Sequence, residues 1–112
     1  FEFNANVVGR LYVDGIKSTD LEDKLAVFDE SGNCRGISST AHYDLSSYGL
    51  NYISHELFIY SNTPGEKLTF KAYDSSKNKI YDIVEKYDSF VPNEILADFL
   101  TPFNMHTVLK KD

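Results

Sequence analysis

Tryptophan is absent from this 112-residue chain, and cysteine and methionine occur once each. A lone cysteine, Cys34, cannot close an intrachain disulfide, so the stapled class of small domains is excluded. No apolar run reaches the roughly eighteen residues that a membrane-spanning helix needs. Basic residues are the minority, eleven against seventeen acidic, giving a formal net charge of -6. Phosphate backbones and anionic membranes call for clustered Lys and Arg, so neither nucleic acid nor membrane insertion is expected. No signal peptide is visible either, because Phe1-Glu2-Phe3-Asn4 opens directly as strand-like sequence. The expectation is a single module, residues 1–112, excised from a longer multidomain chain.

What is present leans toward strands. Eight Tyr and eight Phe favour half-buried pleated surfaces. Ala5, Val7, Gly9, Leu11 and Val13 alternate with Asn6, Val8, Arg10 and Tyr12, which predicts a strand closed by the Asp14-Gly15 turn. Residues 24–29 and 34–38 predict a hairpin around Glu30-Ser31-Gly32-Asn33. Residues 39–51 are polar and read as a loop with one helical turn. Tyr52 to Tyr60 is the clearest strand, with Ile53, Leu57 and Ile59 on its apolar face and His55 among them. After the Ser61 to Glu66 turn, Leu68, Phe70 and Ala72 mark another strand, and Lys79 to Tyr87 its hairpin partner. Asn93 to Leu100 carries a short helix-like pattern, and Phe103 to Leu109 reads as a closing strand. About seven short strands with polar turns predict an all-β, two-sheet antiparallel sandwich, immunoglobulin-like in outline, with at most one short helix near residues 93–100.

Two stretches belong together. Asp14-Gly15-Ile16-Lys17-Ser18-Thr19-Asp20 leads through Asp23-Lys24-Leu25-Ala26-Val27-Phe28 to Gly32-Asn33-Cys34-Arg35-Gly36. Later come Tyr60-Ser61-Asn62-Thr63-Pro64-Gly65-Glu66 and Leu68-Thr69-Phe70-Lys71-Ala72-Tyr73-Asp74. This ordered pair resembles a β-rich module repeated in large secreted and surface proteins of Bacteroidetes and related bacteria. The resemblance implies a place, extracellular and within a multidomain chain, rather than a reaction. The chain departs from that pattern at residues 41–52, crowded with Tyr and Ser, and at His55, where an apolar residue is usual.

No catalytic constellation is framed. A Gly-x-Ser-x-Gly elbow is missing, and an activated thiol needs an exposed electropositive setting, whereas Cys34 is expected as a small buried hydrophobe. His42, His55 and His106 lack zinc-ligand spacing. His55 is expected on a core face with one ring nitrogen bonded to backbone. Asp14, Asp20, Glu22 and Asp23 gather hard oxygen ligands in one loop, which makes calcium the one candidate cofactor; the competing view is that Asp20 caps a solvated turn. Arg35 is expected either to pair with Asp23 or Asp29, locking hairpin to loop, or to present its planar fork to an outside carboxylate or sugar hydroxyl. Tyr43, Tyr48 and Tyr52 form the candidate contact patch, unless they merely cover the open end of the core. Absent tryptophan weakens a sugar-stacking role. The expected function is a non-catalytic structural, adhesion or partner-binding module of a cell-surface protein, meeting a protein or glycan and its neighbouring domains. The alternative is a carbohydrate-binding module attached to a secreted polysaccharide-degrading enzyme.

Overall fold

Period-two burial builds the first strand. In the computed structural model, Phe3–Val13 (β1) buries Ala5, Val7, Gly9 and Leu11 on the face that the alternation predicts. The structure describes residues 3–45, 47, 50–96 and 103–108, and for 41–45 and 50–52 the backbone alone. Eight more strands follow: Ile16–Lys17 (β2), Lys24–Asp29 (β3), Cys34–Ile37 (β4), Ser39–Leu45 (β5), Leu50–Ser61 (β6), Leu68–Asp74 (β7), Lys79–Tyr87 (β8) and Phe103–His106 (β9). One sheet runs β2-β1-β6-β5 with β9 also paired to β1, and the other runs β4-β3-β7-β8. All pairings between named strands are antiparallel except β1 with β9.

The expected two-sheet all-β architecture holds, and the strand list grows by two. β2 follows a tight turn in which Asp14 and Gly15 take φ of 51° and 81°, the left-handed pair that a two-residue hairpin requires. β5 corrects the loop expected at residues 39–51, because Ser39–Leu45 pairs with β6 from Ser39↔Glu56 to Leu45↔Leu50. Its alternation is short, Ala41, Tyr43 and Leu45 against Thr40, His42 and Asp44, and it is the terminal strand of its sheet, where backbone pairing on one side defines it. The short helix is also corrected over the described part of its span. Asn93 N donates to Asn4 O at 2.6 Å, Asn6 N to Glu94 O at 2.9 Å, and Leu96 N to Asn6 O at 2.9 Å, so residues 93–96 run beside β1. The edge of β1 needed partners, and this segment supplies them. Residues 97–100 lie outside the described residues.

The inner rows meet as the core. Val7, Leu57 and Ile59 of the first sheet, and Leu25, Val27 and Phe70 of the second, are at most 1% exposed. Burial of each such side chain stabilises by about 1.5–3 kcal/mol. Phe90 joins this core from the segment after β8, held by Gly65 N to Phe90 O at 2.7 Å and Phe90 N to Glu66 O at 2.9 Å.

Both long sides of the sandwich are stitched. On one side a single residue, Ser38, separates β4 of the second sheet from β5 of the first. Ser38 N donates to Leu25 O, and Leu25 N donates to Ser38 Oγ, each at 2.8 Å, which fixes this corner. There β4 crosses β6 so closely that a Cβ at Gly36 would overlap the Phe58 carbonyl oxygen. On the other side β9 leaves β1 to reach β8: Thr107 bridges Ile83, and Val108 N donates to Asp82 O at 2.8 Å.

Candidate functional site

Arg35 owes its position to a bulge. The β3/β4 register passes from Val27↔Gly36 to Phe28↔Cys34, leaving Arg35 as the extra residue. A bulge re-aims the side chain it inserts, and this one turns the guanidinium to the turn that follows β6. Nη1 donates to Glu66 Oε1 at 2.8 Å and Nη2 to Glu66 Oε2 at 3.0 Å, a two-pronged pair. Nη2 also donates to Asp29 Oδ2 at 3.0 Å, and Nη1 to the Tyr60 carbonyl at 3.2 Å. Each acid is held in turn. Ser61 Oγ donates to Glu66 Oε1 at 2.7 Å, while Asp29 Oδ1 accepts from the backbones of Ser31 at 2.9 Å and Asn33 at 2.8 Å. The Asn33 backbone bond is the chief reason that the Asp29 carboxyl sits below its ordinary pKa, with Arg35 helping and burial opposing. Of the acids expected for Arg35, Asp29 is the partner and Asp23 is not. Glu66 is the partner the sequence did not reveal.

The acid-rich loop closes on a serine. Asp23 is 3% exposed; its Oδ2 accepts from Ser18 Oγ at 2.6 Å and its Oδ1 from Ser75 N at 2.9 Å. Asp20 Oδ1 accepts from Glu22 N at 2.9 Å, and its Oδ2 from Ser75 Oγ at 2.7 Å. The first of these bonds does most to hold the Asp20 carboxyl below its usual pKa, with the Ser75 bond adding and desolvation opposing. Asp14 pairs with Lys77 at 3.6 Å. Asp14, Asp20 and Asp23 thus share one depression of about 300 Å³ with Asp74 and Lys77, while Glu22 is exposed and does not line it. Among the described residues no set of three His, Cys, Asp or Glu side chains converges closely enough to hold a metal ion.

No family model, curated protein or solved structure matches the chain. The site is therefore judged on its own geometry. Tyr43 and Tyr52 are brought together as register partners on β5 and β6, and Tyr48 lies outside the described residues. Cys34 corrects its expectation, for it is exposed. It stands opposite Phe28 on terminal strand β4, a position with only one neighbouring strand to cover it.

A cluster invisible to sequence reading joins the last strand to both sheets. His106 N donates to Glu85 Oε1 at 2.7 Å, and His106 Nδ1 meets Glu85 Oε2 at 2.8 Å. The His106 ring stacks on Tyr12 with centroids 4.8 Å apart, and Arg10 Nε donates to Asn104 Oδ1 at 2.8 Å. Burial pushes the Glu85 carboxyl up, but the His106 bonds outweigh it and leave the group below its ordinary pKa. These pairs come from the parallel register Arg10↔Asn104 and Tyr12↔His106 between the two ends of the chain. No local signal announces such a pairing.

His55 is the exception to this mutual satisfaction. It sits at 0% exposure, opposite Gly9 of β1 and Thr40 of β5, as the period-two pattern predicts. The expected backbone hydrogen bond is missing: among the described residues neither ring nitrogen has a partner. Desolvation lowers its pKa to about 4, with Asp23 pulling the other way and Lys24 adding to the fall. The unfolded chain, with a histidine near 6.5, therefore binds the proton more readily. Stability from this group is full above pH 6.5 and falls as pH drops from 6.5 toward 4, by about 3 kcal/mol in all. The lowered carboxyls Asp20, Asp29 and Glu85 lose their contributions at lower pH, below about 4.5. Urea unfolding from pH 7 to 4.5 should show the decline in the wild type, and His55→Leu should flatten it. An unchanged slope in that variant would assign the decline elsewhere.

Two grooves mark the outer face of the second sheet. The smaller, of about 80 Å³, lies between Phe28 and Tyr73 with Ala26, Lys24, Lys71 and Ile80 around it. The larger, of about 610 Å³, is bordered by Lys71, Asp82, Val84, Lys86 and Val108. Lys71 forms the ridge common to both.

Proposed function

We propose that this domain is a non-catalytic module of a secreted or cell-surface multidomain protein, one that spaces its neighbours or holds a protein or glycan partner. The observation that carries the proposal is the use made of buried polar groups. Asp23, Asp29, Ser61, Asp74 and Thr107 are all buried, and each is bonded to a turn or a strand end. Catalysis needs a group held ready for a reacting atom, with an unused lone pair or proton aimed at a cleft. Here such groups are committed to the shape of the chain. The ordered motif pair that resembles repeated surface modules supports the extracytoplasmic, multidomain context. A glycan-binding module is the second reading, favoured by the lysine-bearing and aromatic grooves on the second sheet.

Incubation of the purified domain with cell-wall and matrix polymers tests the proposal. Retention of a polymer with no released product is the expected result. Product that accumulates in proportion to added domain, and that Cys34→Ser or His106→Gln abolishes, would contradict it.

A further inference from the structure

The outer face of the second sheet carries charge opposite to the rest of the molecule. Lys24, Lys71 and Lys86 alternate there with buried neighbours, joined by one acid, Asp82, in a chain of net charge -6. The register sets the three lysines on a diagonal. Lys24 of β3 pairs with Tyr73 of β7, and Lys71 lies two residues back along β7. Two residues further back, Thr69 pairs with Lys86 of β8. Diagonal neighbours in a sheet stand about 7–8 Å apart; Lys24 and Lys71 are such a pair, and Lys86 follows across the register shift between Thr69 and Lys71, so a file of three cations crosses three adjacent strands. Lys71 contacts Asp82 at 3.3 Å between exposed side chains, whereas Lys24 and Lys86 make no ion pair among the described residues.

Apolar surface flanks this file. The half-buried rings of Phe28 and Tyr73 border the smaller groove, with the Lys71 ammonium 5.8 Å from the Phe28 ring centroid. Ile80 at 67% and Val84 at 56% exposure continue the surface along β8. An extended polypeptide laid on this face would meet side chains only, and its N–H and C=O groups would lose water without gaining backbone partners. A polysaccharide brings C–H faces for the rings, carboxylates for the ammonium groups, and hydroxyls that stay wet.

We propose that this face binds an acidic polysaccharide, with Lys24, Lys71 and Lys86 pairing with its carboxylates and Phe28 and Tyr73 lying against its sugar rings. This rests on the domain being a non-catalytic binding module, and it names the partner's chemistry and the surface that takes it. Polygalacturonate is the probe, with dextran as the neutral control and poly-L-glutamate as the acidic peptide control. In affinity electrophoresis the wild-type domain should be retarded by polygalacturonate and not by dextran, and added salt should release it. The triple variant Lys24→Gln, Lys71→Gln, Lys86→Gln should weaken retardation roughly tenfold or more, the sum of three exposed ion pairs, with an unchanged Tm. Wild-type mobility unaffected by polygalacturonate, or retardation equal in the triple variant, would overturn the proposal. Poly-L-glutamate binding as tightly as polygalacturonate would overturn it in favour of an acidic protein. Reducing ends released from a polymer bound through the lysines would support this face while contradicting the non-catalytic function, so the two claims fail separately.

Discussion

Replacing Gly36 with alanine should destabilise the domain by about 3 kcal/mol, at the upper end of what overpacking costs, and lower its Tm by roughly 12 °C or more. The cause is a backbone crossing. β4 passes over β6 as the chain changes sheets, and the added Cβ would overlap the Phe58 carbonyl oxygen, which belongs to a paired strand and cannot turn aside. Relief would require β4 to lift, stretching the Ser38 corner and the Arg35 bonds together. Gly9 provides the contrast. Its added Cβ would meet the tip of the Leu25 side chain at 3.1 Å, and a side-chain end can yield, so Gly9→Ala should cost less than about 1 kcal/mol. Thermal unfolding followed by circular dichroism ranks the two. A Gly36→Ala protein as stable as Gly9→Ala would show that the strand switch is looser than its geometry implies.

Arg35→Met should lower Tm by roughly 10 °C or more, because it leaves two carboxylates without the cation between them. Methionine keeps most of the stem, so the loss reports the guanidinium rather than packing. Asp29 and Glu66 are both largely covered, with side chains 7% and 19% exposed. Arg35→Lys should recover only part of the loss, since a point charge cannot make the two-pronged contact to Glu66 or reach Asp29 and the Tyr60 carbonyl at the same time. Recovery of full stability by lysine would reduce the site to simple charge neutralisation.

Strands with one dry face were legible from sequence because alternation records burial directly. The rows Leu68, Phe70, Ala72 and Ala5, Val7, Leu11 are buried as their period predicts. β5 was less legible, since only Ala41, Tyr43 and Leu45 alternate in a run otherwise of Ser, Thr, His and Asp. Ile95, Leu96, Phe99 and Leu100 suggested a helix by their spacing after Pro92, yet the backbone partners of residues 93–96 lie at the opposite end of the chain, beyond any local signal. Cys34 was misplaced by the burial tendency of its residue type, which a position on a terminal strand overrides.

The candidate sites followed the same rule. The acidic loop was legible as a group of carboxylates, but not the Ser75 donors that come from the turn after β7, five strands later. For Arg35, the nearby Asp29 was legible as a partner and the distant Glu66 was not. The two sequence stretches with the shared resemblance meet along the β3–β7 ladder, and this second pair fastens the end of that contact. Long-range polar pairing leaves no period in the sequence, and in this domain it ties one sheet to the other.

A double-mutant cycle on Arg35→Met and Glu66→Gln, read by urea unfolding at pH 7, addresses that tie most directly. If the guanidinium and the carboxylate act as one cross-link between the β3–β4 hairpin and the turn after β6, the single losses should overlap, with a coupling of about 2 kcal/mol. Losses that simply add would mean that the two side chains stabilise the domain independently, and that this pair does not cross-link the hairpin to the turn.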